Sequence, residues 1–76
     1  MPPEDLRAVG YERMLRSTIG QAMVELWRGR DGFCVRRSRL VLEPDPGVQT
    51  DDVYWDDQPA AQAQYEAWLD EELRGS

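Results

Sequence analysis

The side chains best equipped for chemistry in this chain are carboxylates and guanidiniums, because it contains no histidine and a single cysteine. Without imidazole it lacks the commonest general base and the commonest metal ligand. Cys34 has no histidine to activate it and stands in a run with strand character, which predicts a small buried hydrophobe rather than a nucleophile. The sequence has no CxxC pair and no glycine-rich phosphate loop. Asp51, Asp52, Asp56 and Asp57 are oxygen donors of the kind Mg²⁺ takes, but nothing in their spacing demands a metal. The expectation is a non-enzymatic chain with no catalytic residue, no metal and no cofactor.

Charge is the stronger signal. All nine basic residues are arginine, against fifteen acids, for a net charge of −6. The division along the chain is uneven. Residues 1–42 hold eight arginines and five acids, a balance of +3; residues 43–76 hold one arginine and ten acids, a balance of −9. Asp56 and Asp57 stand where a helix starts, and there the helix dipole welcomes them. Asp70, Glu71 and Glu72 stand near a helix end, where it opposes them, and Glu66 repels Asp70 four residues on. Acids placed against local stability are candidates for recognition. The set Asp51, Asp52, Asp56, Asp57, Glu66, Asp70, Glu71 and Glu72 is therefore expected to meet a basic protein surface, imitating the phosphates of a nucleic acid. The bland reading of the same set is a solvated, solubility-keeping face. The opposing feature is Arg36-Arg37-Ser38-Arg39. Strand alternation puts Arg37 and Arg39 on one face and Arg36 on the other. They serve either as phosphate contacts for nucleic acid or as internal partners of the chain's own acids.

Positioning these groups requires few elements. At 76 residues the chain is one domain, 1–76, with room for one thin core and little room for a deep pocket. The spacing predicts an N-terminal helical region over 1–20, with the helix from about Pro3 to Arg16. Pro3 suits its first turn, and Tyr11, Met14, Leu15 and Thr18 fall at helical spacing. A hairpin–strand–helix core over 21–76 follows. Ala22 to Arg28 and Phe33 to Leu42 flank Gly29-Arg30-Asp31-Gly32. A four-residue loop there pairs Arg28 with Phe33, Leu26 with Val35 and Glu25 with Arg36; a two-residue Asp31-Gly32 turn would shift that register. The prolines of Glu43-Pro44-Asp45-Pro46-Gly47 make a loop. A short third strand is read at Asp52 to Trp55. A last helix is read from about Pro59 to Arg74, capped by Asp57 or Gln58, of which Asp57 is the chemically better cap, with Ala61, Tyr65, Trp68, Leu69 and Leu73 as its apolar stripe. The fold class expected is α+β: a three-stranded antiparallel sheet covered by a C-terminal helix, with an N-terminal helix at its edge. A lone thiol, no signal-peptide pattern and no apolar run of membrane-spanning length point to the cytoplasm.

Two resemblances bear on function. Glu25-Leu26-Trp27, Phe33-Cys34-Val35-Arg36-Arg37-Ser38-Arg39, Gly47-Val48-Gln49-Thr50, Ala60-Ala61-Gln62-Ala63 and Glu72-Leu73-Arg74-Gly75 resemble a WGR domain in order and spacing. Of the signature Trp-Gly-Arg, standing here as Arg37-Ser38-Arg39, only Arg39 matches. That resemblance implies a nucleic-acid-binding domain using Arg36, Arg37 and Arg39. Separately, Tyr65-Glu66-Ala67-Trp68-Leu69-Asp70-Glu71-Glu72, with the order hairpin, strand, acidic helix, is similar to small acidic phage anti-CRISPR proteins. This implies a DNA-mimic inhibitor of a nucleic-acid-binding complex, with no membrane partner.

Overall fold

Turn chemistry lays out the sheet. The computed structural model describes residues 5–42 and 44–75. Its elements are β1 (Glu12–Ile19), β2 (Ala22–Arg28), β3 (Phe33–Val41), β4 (Gly47–Trp55) and α1 (Gln58–Gly75). The four strands form an antiparallel meander in the order β1-β2-β3-β4. The β1–β2 turn is Gly20-Gln21, closed by the pair Ile19 and Ala22. Gly20 has φ +58° while Gln21 stays at negative φ, the II′ pattern whose twist matches the strands it joins. The β2–β3 turn is the four-residue loop 29–32, with Gly29 N–H donating to the Gly32 carbonyl at 2.7 Å. It sets Arg28 opposite Phe33, Leu26 opposite Val35 and Glu25 opposite Arg36, the four-residue register of the sequence reading.

The N-terminal helix is overturned. Residues 6–10 form turns, tied by Ala8 N–H to the Asp5 carbonyl and Tyr11 N–H to that of Leu6, and residues 12–19 are a strand. Gly10 at φ +96° ends any helical path before Tyr11. Thr18 and Ile19 favour the pleat, and the Gly20 turn folds the segment onto β2, so tertiary pairing overrides the helical spacing of Tyr11, Met14 and Leu15. Pro3 and Glu4 lie outside the described residues. The sheet therefore has four strands rather than three. Its last strand also starts earlier than expected, at Gly47, because Val48, Gln49 and Thr50 pair with Leu40, Arg39 and Ser38. The class remains α+β.

The helix covers one face of the sheet. Val24, Leu26 and Val35 bury against Ala61, Tyr65 and Trp68, with Phe33, Val53, Trp55 and Leu69 around them. Tyr65 also ties the helix to β1 through a 2.7 Å hydrogen bond between its hydroxyl and that of Ser17. Asp57 supplies the carbonyl that accepts from Ala61 N–H at 3.2 Å, so it holds the cap position read from sequence. The C-terminal end of the apolar stripe needs correction. Leu73 is 61% exposed, and Glu72, one residue earlier, turns inward. On the other face, Leu6 caps Trp27 and Cys34. No helix among the described residues is long and apolar enough to cross a membrane.

This arrangement predicts a contrast between two leucines. Leu26→Ala empties the centre of the core and is expected to lower unfolding free energy by about 2–5 kcal/mol. Leu73→Ala is expected to change it by less than about 0.5 kcal/mol. Urea titrations of the two variants check this, and an equal loss in both would contradict the assigned helix facing.

Candidate functional site

The predicted recognition groups meet across both faces of β3 and β4. Antiparallel register places Arg36 opposite Asp52 and Arg37 opposite Asp51. Because side chains alternate, the first pair lies on the helix-free face and the second under the helix.

On the helix side, Arg37 is the hub. Its guanidinium lies 3.5 Å from the Asp51 carboxylate, 3.4 Å from Glu71 and 3.9 Å from Glu72. It also stacks 4.6 Å from the centroid of the Trp68 ring, so the cation touches both acid and aromatic partners. Arg39 pairs with Glu72, whose side chain is largely covered. Helical geometry explains the split among the acids of α1. Glu72 continues the buried stripe of Ala61, Tyr65 and Trp68. Glu71, 100° away, reaches the flank where Arg37 waits.

On the helix-free face, Arg36 makes two parallel hydrogen bonds to Asp52, Nε to Oδ1 at 2.7 Å and Nη2 to Oδ2 at 3.0 Å. This fork geometry is the strongest form of the pair. The hydrogen bond to Asp52 holds the Arg36 guanidinium above its ordinary pKa despite burial. Glu25, the cross-strand neighbour of Arg36, accepts from Arg13 Nη1 at 3.3 Å. Glu25 and Arg36 are only 5% and 7% exposed, although no helix covers this face. Cys34, in the same row of side chains, has its thiol pushed up to about 11 from the usual 9.0, first by burial and then by the Asp52 charge.

The eight candidate acids therefore do not form one set. Asp51, Asp52, Glu71 and Glu72 are engaged by the very arginines of the alternative site, Arg36, Arg37 and Arg39. Asp56 and Asp57 are exposed at the junction of β4 and α1. Glu66 and Asp70 are exposed on the side of α1 turned away from the sheet; Asp70 meets Arg74 at 3.1 Å, a one-turn surface pair. The nucleic-acid strip is not a free basic surface, since each of its three guanidiniums faces a carboxylate. Sequence reasoning had favoured this internal pairing, but a third strand drawn from Asp52 left Asp51 outside the sheet and so could not set it opposite Arg37.

Other groups escaped notice. Tyr54 is 54% exposed on the helix-free face, its ring 6.4 Å from that of Tyr11, while Arg7 and Arg13 lie over Trp27 at 5.8 and 5.9 Å. Alternation in Val53-Tyr54-Trp55 was the available signal, because Val53 and Trp55 face the helix and Tyr54 must then face away. A hollow of ≈ 370 Å³ lies between the β1–β2 turn and the end of α1, lined by Ile19, Ala22, Arg39, Leu40, Glu72 and Gly75. Among the described residues no group of three or more His, Cys, Asp or Glu is placed to hold a metal ion. No family model matches the chain, and neither the curated proteins nor the solved structures contain a match to it.

The buried thiol gives a prediction with a definite sign. A thiol whose folded pKa is raised ionises more readily once unfolded, so its stabilisation is complete below about pH 9 and is lost as pH rises towards 11. Wild type is expected to lose roughly 2–3 kcal/mol across that window beyond any loss in Cys34→Ala. Urea midpoints of both proteins measured from pH 8 to 11 check this; parallel curves would contradict it.

Proposed function

We propose that this domain is a small, acidic, non-enzymatic interaction protein that binds a basic surface of a nucleic-acid-binding complex and acts as its inhibitor or regulator. One observation carries the reading: Asp56, Asp57, Glu66 and Asp70 stand exposed at the start and along the outer side of α1, where a partner can reach them. Glu66 and Asp70 lie one helical turn apart. Their mutual repulsion is an expense to the helix that a basic partner would relieve. The ion pairs among the described residues take up six arginines and seven acids, so most of the net charge of −6 belongs to groups outside those pairs. Such a field steers a cationic surface towards the domain and speeds encounter.

The docking set is narrower than the sequence suggested. Asp51, Asp52, Glu71 and Glu72 serve the fold first, which leaves four principal carboxylates. Mimicry of a DNA strand in the anti-CRISPR manner rests on the sequence resemblance of the acidic helix, and its outward part is Glu66 with Asp70. The competing reading, nucleic acid bound directly by Arg36, Arg37 and Arg39, would require breaking their pairs with the chain's own acids.

The test is affinity capture from host lysate with wild type and with Glu66→Lys/Asp70→Lys, followed by competition with duplex DNA. The reading expects a nucleic-acid-binding protein that is released by DNA and retained at least about tenfold less by the variant, with circular dichroism unchanged. Equal retention by both proteins would remove the helix surface from the account. Salt-sensitive retardation of DNA by the domain itself would favour the arginine reading instead.

A further inference from the structure

We infer that β4 is a docking edge for an extended basic segment of the partner, which adds to the sheet as a fifth strand. This rests on the proposed affinity for a basic partner and specifies how that partner is held.

The first observation is the state of the two sheet edges. A free edge strand offers a row of unpaired backbone donors and acceptors, and proteins blunt such edges with bulges, prolines, lysines or short length. β1 carries a register shift between Arg13 and Leu15. β4 lacks the bulge, the proline and the short length, and the only charges it carries are acidic, Asp51 and Asp52. It runs nine residues, Gly47–Trp55, pairs with β3 without a register shift, and contains neither proline nor lysine. No described residue pairs with its outer edge.

The second observation is what that edge displays. Asp51 projects on the helix side with its side chain 53% exposed, while Asp52, on the other face, is held by Arg36 and its side chain is 24% exposed. Asp45 precedes the strand, and Asp56 and Asp57 follow it, all exposed. Val48 and Tyr54, 62% and 54% exposed, share the helix-free face with Asp52. An incoming strand would meet Val48, Thr50, Asp52 and Tyr54 in turn along that face, apolar at both ends with polar and acidic positions between. The matching segment carries adjacent basic residues at its centre and apolar residues towards both ends.

Charge also selects against a second copy of this chain as the occupant. Asp51 is the middle residue of β4, so full antiparallel overlap of two copies sets Asp51 against itself. Like charges directly opposed are destabilising. A basic strand turns the same carboxylates into attraction.

The experiment follows β4 amides by NMR hydrogen exchange with a synthetic eight-residue peptide: two central lysines, valine second and second from last, threonine elsewhere. A control peptide of the same sequence is N-methylated at alternate residues, which keeps the charge and blocks strand pairing. The inference expects β4 amides that exchange freely in the unbound domain to slow by about tenfold or more at saturating peptide, with β1 amides unchanged. It also expects no protection by the control, and loss of protection in Asp51→Lys, or in Asp51→Asn should the first variant unfold. Equal shifts from both peptides would overturn the edge while leaving the acidic-surface reading in place. Binding by neither peptide would overturn the edge, with the capture experiment on Glu66 and Asp70 deciding the broader reading separately. A doubled molar mass of the free domain that protects β4 would likewise overturn it, in favour of self-pairing.

Discussion

The register between β3 and β4 is the constraint from which the rest of this structure follows. By setting Arg36 against Asp52 and Arg37 against Asp51, it joins the basic half of the chain to the acidic half. The helix then adds Glu71 and Glu72 to the same arginines. A slip of β4 by one residue would turn Asp52 to the helix side and Val53 away from the core, breaking the fork with Arg36, which β2 holds on the helix-free face. A slip of two would keep the faces but set Thr50 or Tyr54 opposite Arg36, and Gln49 or Val53 opposite Arg37, in place of the carboxylates. The ion pairs thus specify pairing at least as much as they stabilise it. The fork of Arg36 and Asp52, on the less exposed side, contributes more than the looser contacts of Arg37 with Asp51 and Glu71.

That division of labour shapes function. A charge count alone presents a strongly acidic second half opposed to a moderately basic first half. Once folded, the two cancel along the sheet, and the surplus lies at the β4–α1 junction, along the outer side of α1 and in the unpaired acids of the loops. The domain is therefore built from two kinds of carboxylate. Those opposite arginines fix the sheet and the helix on it. Those left outside those pairs, among the described residues, are exposed, Asp70 in a surface pair with Arg74, and the proposed partner would meet them there. The open edge of β4 lies between the two kinds, since Asp51 touches Arg37 and still reaches solvent.

Much of this architecture was legible from residues. Gly29 to Gly32 announced the central hairpin and narrowed its register to two, Pro44 and Pro46 announced the loop, and Asp57 with Gln58 announced the start of α1. The alternation that separates Arg36 from Arg37 and Arg39 needed nothing beyond the pleat. The first strand was not legible, because Tyr11, Met14 and Leu15 fit a helical period as well as a strand. What decided the matter was the partner β2, which local spacing does not represent. The acidic set was half legible. Residue type marked all eight carboxylates, but which of them faced arginines depended on the start of β4 at Gly47 and on the rotation of α1. Glu72 and Leu73 show the difficulty: the helix buries the acid and exposes the leucine, because Arg39 and Arg37 wait beneath.

The central claim is that cross-strand pairing with Arg36 and Arg37 holds the acids of β4. A double-mutant cycle on Arg36 and Asp52, with Arg36→Leu, Asp52→Leu and the double variant compared by urea unfolding, tests it most directly. The account predicts that each single change is clearly destabilising and that the double variant recovers at least about 1 kcal/mol relative to their sum. Additive losses, with no coupling between the two positions, would contradict it.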